Sequence, residues 1–237
     1  MRKLFCLGAL LMLATCAGFV CSCNDDVEET PPAGSNTTDK KDTHEYVDLG
    51  LPSGTLWATC NVGASSPEEY GDYFAWGETE PKTNYSWETY KYCKGTNNTM
   101  TKYCARYGSV DYKVELEPSD DAATVNWGSE WQMPSSEQCA ELSNYRYTTT
   151  TWTTLNGVYG RKITSKSNGN SIFLPAAGYR RDTSLSSAGS YGLYWSRSLF
   201  ASYSVSAYYL DFVSSDVSTY GSYRCYGRSV RPVRVQN

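Results

Sequence analysis

Between Ser190 and Tyr226 the chain carries ten Ser and eight Tyr among 37 residues, and no Lys, Glu, Asn or Pro. Within that window Val205 to Val213 reads as a strand. Its residues are β-branched or aromatic, and Leu210 and Phe212 share one face two residues apart. Arg228 to Arg234 reads as a second, terminal strand, with Pro232 favouring a sheet edge or a strand end. Between the two lies a Tyr/Ser surface. Tyr offers large contact area at little rotamer cost and Ser adapts its hydrogen bonds, which is the composition of many binding surfaces. The other reading is a Tyr-rich β region that binds nothing. On the first reading the candidate ligand-binding residues are Arg197, Phe200, Tyr203, Tyr209, Tyr220, Tyr223, Arg224 and Tyr226, since Tyr and Arg carry binding energy more often than their neighbours. Trp195, Leu210, Phe212, Val230 and Val233 are expected in the core.

The N-terminus bears on the compartment. Arg2 and Lys3 precede an apolar run from Leu4 to Val20, the layout of a secretory signal and too short for a spanning helix. Val20-Cys21-Ser22-Cys23 resembles a bacterial lipoprotein box, so residues 1–22 are expected to be a signal peptide and Cys23 the lipidated residue; Leu13-Ala14-Thr15-Cys16 is the weaker alternative. The acidic run from Asn24 to Glu29 resembles the export signal that sends Bacteroidetes lipoproteins to the outer face of the outer membrane. A cysteine carrying several acyl chains anchors stably, so the lipid is the expected membrane contact. Residues 23–43 read as a polar, disordered tether, and residues 44–237 as one domain, long enough to bury a sizeable core.

Charge and the scarcity of histidine exclude several functions. The net charge of −4 becomes −6 once Arg2 and Lys3 leave with the signal, which argues against a nucleic-acid partner. His44, at the domain's edge, is the single histidine, so a Ser-His-Asp triad, a Cys-His dyad or a His-ligated metal would each depend on it. The domain's five cysteines are Cys60, Cys93, Cys104, Cys139 and Cys225. None is spaced as a zinc site, and Cys93 with Cys104 could close a small loop. No metal and no cofactor is expected. The carboxylates from Glu115 to Asp121 have the oxygens that calcium takes but not the spacing of an EF-hand, and a capped turn is the other role for them.

Along the domain, Ser66-Pro67-Glu68-Glu69 reads as a capped helix start, and Ser135 with Gln138 as a second, running from Ser136 to about Asn144. Pro81 to Asp111 is long, polar and aromatic without period, as in an insertion over a scaffold. Asn168-Gly169-Asn170 joins a strand around Ile163 to Ser171–Pro175 as a hairpin. The fold class is α+β: two short helices, short antiparallel strands and much irregular chain.

Glu45 to Ala64, Tyr73-Phe74-Ala75-Trp76-Gly77-Glu78, Trp131-Gln132-Met133-Pro134-Ser135, Phe173 to Arg180, Gly192-Leu193-Tyr194-Trp195-Ser196 and Gly227 to Arg234 stand in order over nearly the whole domain. Together they resemble the Fibrobacter succinogenes major paralogous domain, common in Bacteroidetes lipoproteins. The resemblance implies a C-type-lectin-like fold of the kind also found in formylglycine-generating enzymes. It leaves function open. One implied reading is a cell-surface binding or adhesion module for a protein or glycan ligand. Some proteins of this fold are diversified by retroelements, whose adenine-directed changes at asparagine-type codons do not yield Lys, Glu, Gln, Met or Trp; Ser196 to Tyr226 contains none of these five. A structural or fimbria-associated surface component is the alternative. A formylglycine-generating-type oxidase is the remote one, because it needs a cysteine pair near the C-terminal end and only Cys225 follows Cys139. The expectation is a protein that is not an enzyme.

Overall fold

The structure is a computed structural model that describes residues 44–104 and 111–235. The signal peptide, the lipidated Cys23 and the tether expected over 1–43 lie outside the described residues. Among the described residues, eleven strands and two helices follow one another: β1 (Tyr46–Asp48), β2 (Thr55–Ala58), α1 (Ala122–Trp127), α2 (Ser136–Ser143), β3 (Thr148–Leu155), β4 (Val158–Ser165), β5 (Ser171–Pro175), β6 (Tyr179–Arg181), β7 (Ser184–Ser186), β8 (Gly192–Leu199), β9 (Ser206–Phe212), β10 (Val217–Tyr223) and β11 (Val233–Val235). They form sheets in the orders β1-β2-β11, β10-β9-β8 and β3-β4-β5, with a β6-β7 ribbon, and every strand-to-strand pairing in these sheets is antiparallel. Among the described residues no helix is long and apolar enough to cross a membrane.

Where local chemistry was explicit, the elements follow it. Ser135 accepts the Gln138 N–H, and the Gln138 side chain accepts the Ser135 N–H, closing both ends of a capping box on α2. This turns Cys139 and Leu142 inward, where both are fully buried. The hairpin around Gly169 pairs Ile163 with Ile172. In β9 the alternation holds: Leu210 and Phe212 pack with Trp57, Cys139, Leu142 and Tyr194 in one core cluster. Trp195, Val230 and Val233 are fully buried as well.

Three expectations are corrected. No helix follows Ser66. Glu69 does reach back to the Ser65 N–H at 2.8 Å, and the Glu69 N–H closes one turn on the Ser66 carbonyl. Gly71, with φ +68°, then redirects the chain, and a single turn does not repay the cost of helix nucleation. The capped turn at Asp120-Asp121 instead opens a helix, α1, whose N-cap is Asp121. Cys93 and Cys104 form no disulfide, and the Cys93 thiol donates to the Trp87 carbonyl at 3.0 Å. The terminal strand is also shorter than Arg228 to Arg234. Only Val233–Val235 pairs with β2, and Pro232 stands just before it.

The aromatic stretch after Pro81 is more than a covering loop. Its Tyr85, Tyr90, Tyr92, Met100 and Tyr103 are buried and join Phe74, Trp76 and Trp195 in a second core cluster. Two of the hydroxyls are met by backbone: Tyr85 donates to the Tyr73 carbonyl at 2.6 Å and Tyr90 to the Trp76 carbonyl at 2.7 Å. Tyrosine buries a large ring while its polar tip finds a partner, so a segment without hydrophobic period still builds core.

Candidate functional site

The candidate surface grows out of β8, β9, β10 and the turn after them. β10 lies along β9 over its whole length, which sets Tyr220 directly across from Tyr209, with ring centroids 6.4 Å apart. Tyr209 also meets Trp195 edge-on at 6.1 Å. At the end of β10, Tyr223 packs against Tyr226 at 5.8 Å and against Trp87 at 5.7 Å, and Tyr226 packs against Tyr179 at 6.0 Å. The result is a belt of aromatic side chains in two groups, one centred on Tyr209 and one on Tyr223 and Tyr226.

A groove of about 400 Å³ opens beside this belt, walled by Phe200, Tyr203, Tyr223 and Tyr226, with Ser206, Gly221 and Ser222 between them. Gly221 makes room for it. A Cβ there would stand 2.8 Å from the Phe200 ring, so a side chain at this position would push Phe200 off the strand. Tyr203 is half exposed, and Tyr223 beside it raises its phenol pKa. Burial raises the phenols of Tyr209 and Tyr226, opposed by Arg228 in the first case and Arg181 in the second.

The structure therefore gathers Phe200, Tyr203, Tyr223 and Tyr226 around the groove, sets the Tyr209–Tyr220 pair on the other face of β9 and β10, and takes two expected residues away from both. Arg224 is fully buried. Its Nε donates to the Tyr90 hydroxyl at 2.8 Å, its Nη1 to the carbonyls of Ser204 and Tyr103, and its Nη2 to the carbonyl of Lys102. It is a core cation stacked over Trp76 at 4.8 Å, not a ligand contact. Arg197 is re-aimed by a bulge. β8 places three residues between Trp195 and Leu199 where β9 places one between Tyr209 and Ala207, and this irregularity directs Arg197 to Glu115 at 3.0 Å and to the Met133 carbonyl. Sequence reasoning missed Tyr179, Trp87 and Arg228 as neighbours of the belt. They lie in three separate segments, and Arg228 stands inside the closing block that resembled scaffold.

The carboxylates weighed for calcium have other partners. Glu115 pairs with Arg197, Glu117 with Lys102 and Lys113, and Asp120 with Lys102 at 2.5 Å and Lys91 at 3.3 Å. The Tyr103 hydroxyl donates to Asp120 at 2.7 Å. Burial on its own raises the Asp120 pKa, but the hydrogen bonds from Lys102 and Tyr103 hold it down to about 2. A depressed carboxylate stabilises the fold fully above its unfolded value and loses that contribution as pH falls through the folded one. Urea unfolding of the wild type and of Asp120→Asn, compared from pH 6 downward, should show a stability gap that is constant near neutrality and closes between about pH 4 and pH 2. A gap independent of pH over that window would show that the network does not hold Asp120 ionised. Among the described residues no group of three or more His, Cys, Asp and Glu is arranged to hold a metal ion. His44 stacks flat on Trp127, with ring centroids 3.7 Å apart.

Comparison with protein-family models, curated proteins and solved structures returns no match for the chain.

Proposed function

We propose that this chain is a non-enzymatic, outward-facing outer-membrane lipoprotein whose domain, C-type-lectin-like in fold, binds a protein or glycan ligand through its C-terminal tyrosine face. The observation that carries the reading is the convergence of Phe200, Tyr203, Tyr223 and Tyr226 on one groove, with the Tyr209–Tyr220 pair on the same stretch of β9 and β10. Tyr is enriched at the centre of interfaces because one side chain supplies area, rigidity and a hydrogen bond together. The fold reading draws on the ordered sequence blocks, and the antiparallel sheets are compatible with it. The lipoprotein reading draws on Cys23 and its flanks.

The thiols support a non-catalytic role. Burial pushes Cys225 up to about 12 and raises Cys93 as well. A nucleophilic or copper-binding cysteine needs its thiolate, which such surroundings disfavour.

Glycan and extracellular-protein arrays probed with the wild type and with the Tyr203→Ala/Tyr223→Ala pair test this reading. The pair should lose at least about tenfold in affinity for whatever the wild type captures, with unchanged thermal unfolding. Equal capture by both proteins, or none by the wild type, would sink the proposal.

A further inference from the structure

Three arginines of the closing segment are sealed from solvent: Arg224, Arg228 and Arg231, at 0%, 2% and 1% exposure. All of the guanidinium nitrogens of Arg224 find acceptors, as described above. Arg231 donates through Nε to Asn61 at 2.8 Å and through Nη1 to the carbonyls of Ala58 and Thr59, leaving only its Nη2 without an acceptor. Arg228 differs in kind. Both its Nε and its Nη1 are buried and meet no acceptor. Buried N–H groups without an acceptor are costly, and native structures rarely keep them without a use.

Its surroundings are aromatic. The guanidinium lies 3.7 Å from the centre of the Tyr209 ring, 4.6 Å from that of Trp195 and 5.9 Å from that of Tyr179. Trp195 is buried, whereas Tyr209 and Tyr179 are half-buried. The charge thus lies against two half-buried rings, those of Tyr209 and Tyr179, next to the Tyr209–Tyr220 pair. One carboxylate acts on it. Asp211 lies two residues along β9 from Tyr209, on the same side of the strand, and makes no ion pair with Arg228. Burial raises the Asp211 pKa, with Arg228 opposing and the nearby Asp216 adding to the rise.

We propose that the Tyr179 and Tyr209 rings over Arg228 form a subsite, a notch that opens for a carboxylate-bearing sugar, whose carboxylate becomes the acceptor that Nε and Nη1 of Arg228 lack while the two tyrosine rings lie against the sugar's carbon skeleton. The inference rests on the reading of the tyrosine face as a binding surface and narrows its ligand to an acidic glycan. Nε and Nη1 are covered in the free protein, so one of the two half-buried rings turns aside as the ligand enters. Asp211 is the group that an incoming anion has to outcompete.

Titration of the ¹⁵N-labelled chain with sodium glucuronate, with glucose and polyglutamate as comparisons, tests the subsite in the wild type. Glucuronate should shift the Arg228 Nε–H resonance and saturate, while glucose leaves it in place. Asp211→Asn removes the competing charge from a half-buried position and should tighten glucuronate roughly two- to fivefold. An Arg228 resonance unmoved at about 50 mM glucuronate overturns the subsite, since any useful millimolar affinity would have appeared. Equal response to glucose overturns the role of charge, and tighter binding of polyglutamate assigns the notch to an acidic peptide instead. If Tyr203→Ala/Tyr223→Ala abolishes capture of an arrayed ligand while glucuronate leaves Arg228 unmoved, the subsite falls and the binding surface stands.

Discussion

Arg224→Met should leave the domain largely unfolded at room temperature. The substitution removes the donors to the Tyr90 hydroxyl and to the carbonyls of Ser204, Tyr103 and Lys102, all inside the protein. It also takes away the cation stacked over Trp76. Each buried acceptor stranded in this way costs about 1–3 kcal/mol. Together they approach the 5–15 kcal/mol, roughly, that holds an ordinary domain folded. Arg224→Lys should rescue little, because an ammonium cannot span acceptors that a planar fork reaches in several directions. Urea unfolding followed by tryptophan fluorescence would measure both. A surface arginine that merely touched a ligand would leave stability within about 0.5 kcal/mol when replaced, so a near-wild-type midpoint would overturn the assignment of Arg224 to the core.

Asp121→Ala should cost about 2–4 kcal/mol, and Asp121→Asn most of the same amount. One carboxylate oxygen accepts the Ala123 and Thr124 N–H groups that begin α1, at 2.9 and 3.0 Å. The other accepts the Met133 N–H at 2.9 Å, on the segment leading to α2. An ordinary N-cap needs only one oxygen, so asparagine would serve there. Here asparagine would set an NH₂ group against one of the backbone donors and strand it. Wild-type stability in Asp121→Asn, read from the thermal midpoint, would mean that the Met133 contact contributes nothing.

What could be read in advance was local. The capping box at Ser135, the alternation of Leu210 and Phe212, and the turn at Gly169 each concern residues within a few positions of one another, and each stands in the structure. The misread features depend on distant partners. Ser66 carried a helix signal, but Gly71 and the return of the chain to Val62 decided the outcome. Arg197 and Arg224 sit in the same Tyr/Ser stretch as the belt residues, with nothing nearby to mark them apart. A bulge in β8 turned one away, and carbonyls more than a hundred residues earlier captured the other. Arg228 was hidden for the opposite reason, since its block resembled scaffold. The groove itself joins residues on either side of β9 and β10, so composition could mark the region without showing which tyrosines meet.

The position of β2 between β1 and β11 has a consequence for the order in which the protein can be made. Asn61 and the carbonyls of Ala58 and Thr59 wait for Arg231, Val62 waits for Val230, Phe74 waits for Arg228, and the outer edge of β2 waits for β11. The first segments of the domain are thus completed by the last. The domain's opening segments stay unpaired until its closing strand is in place.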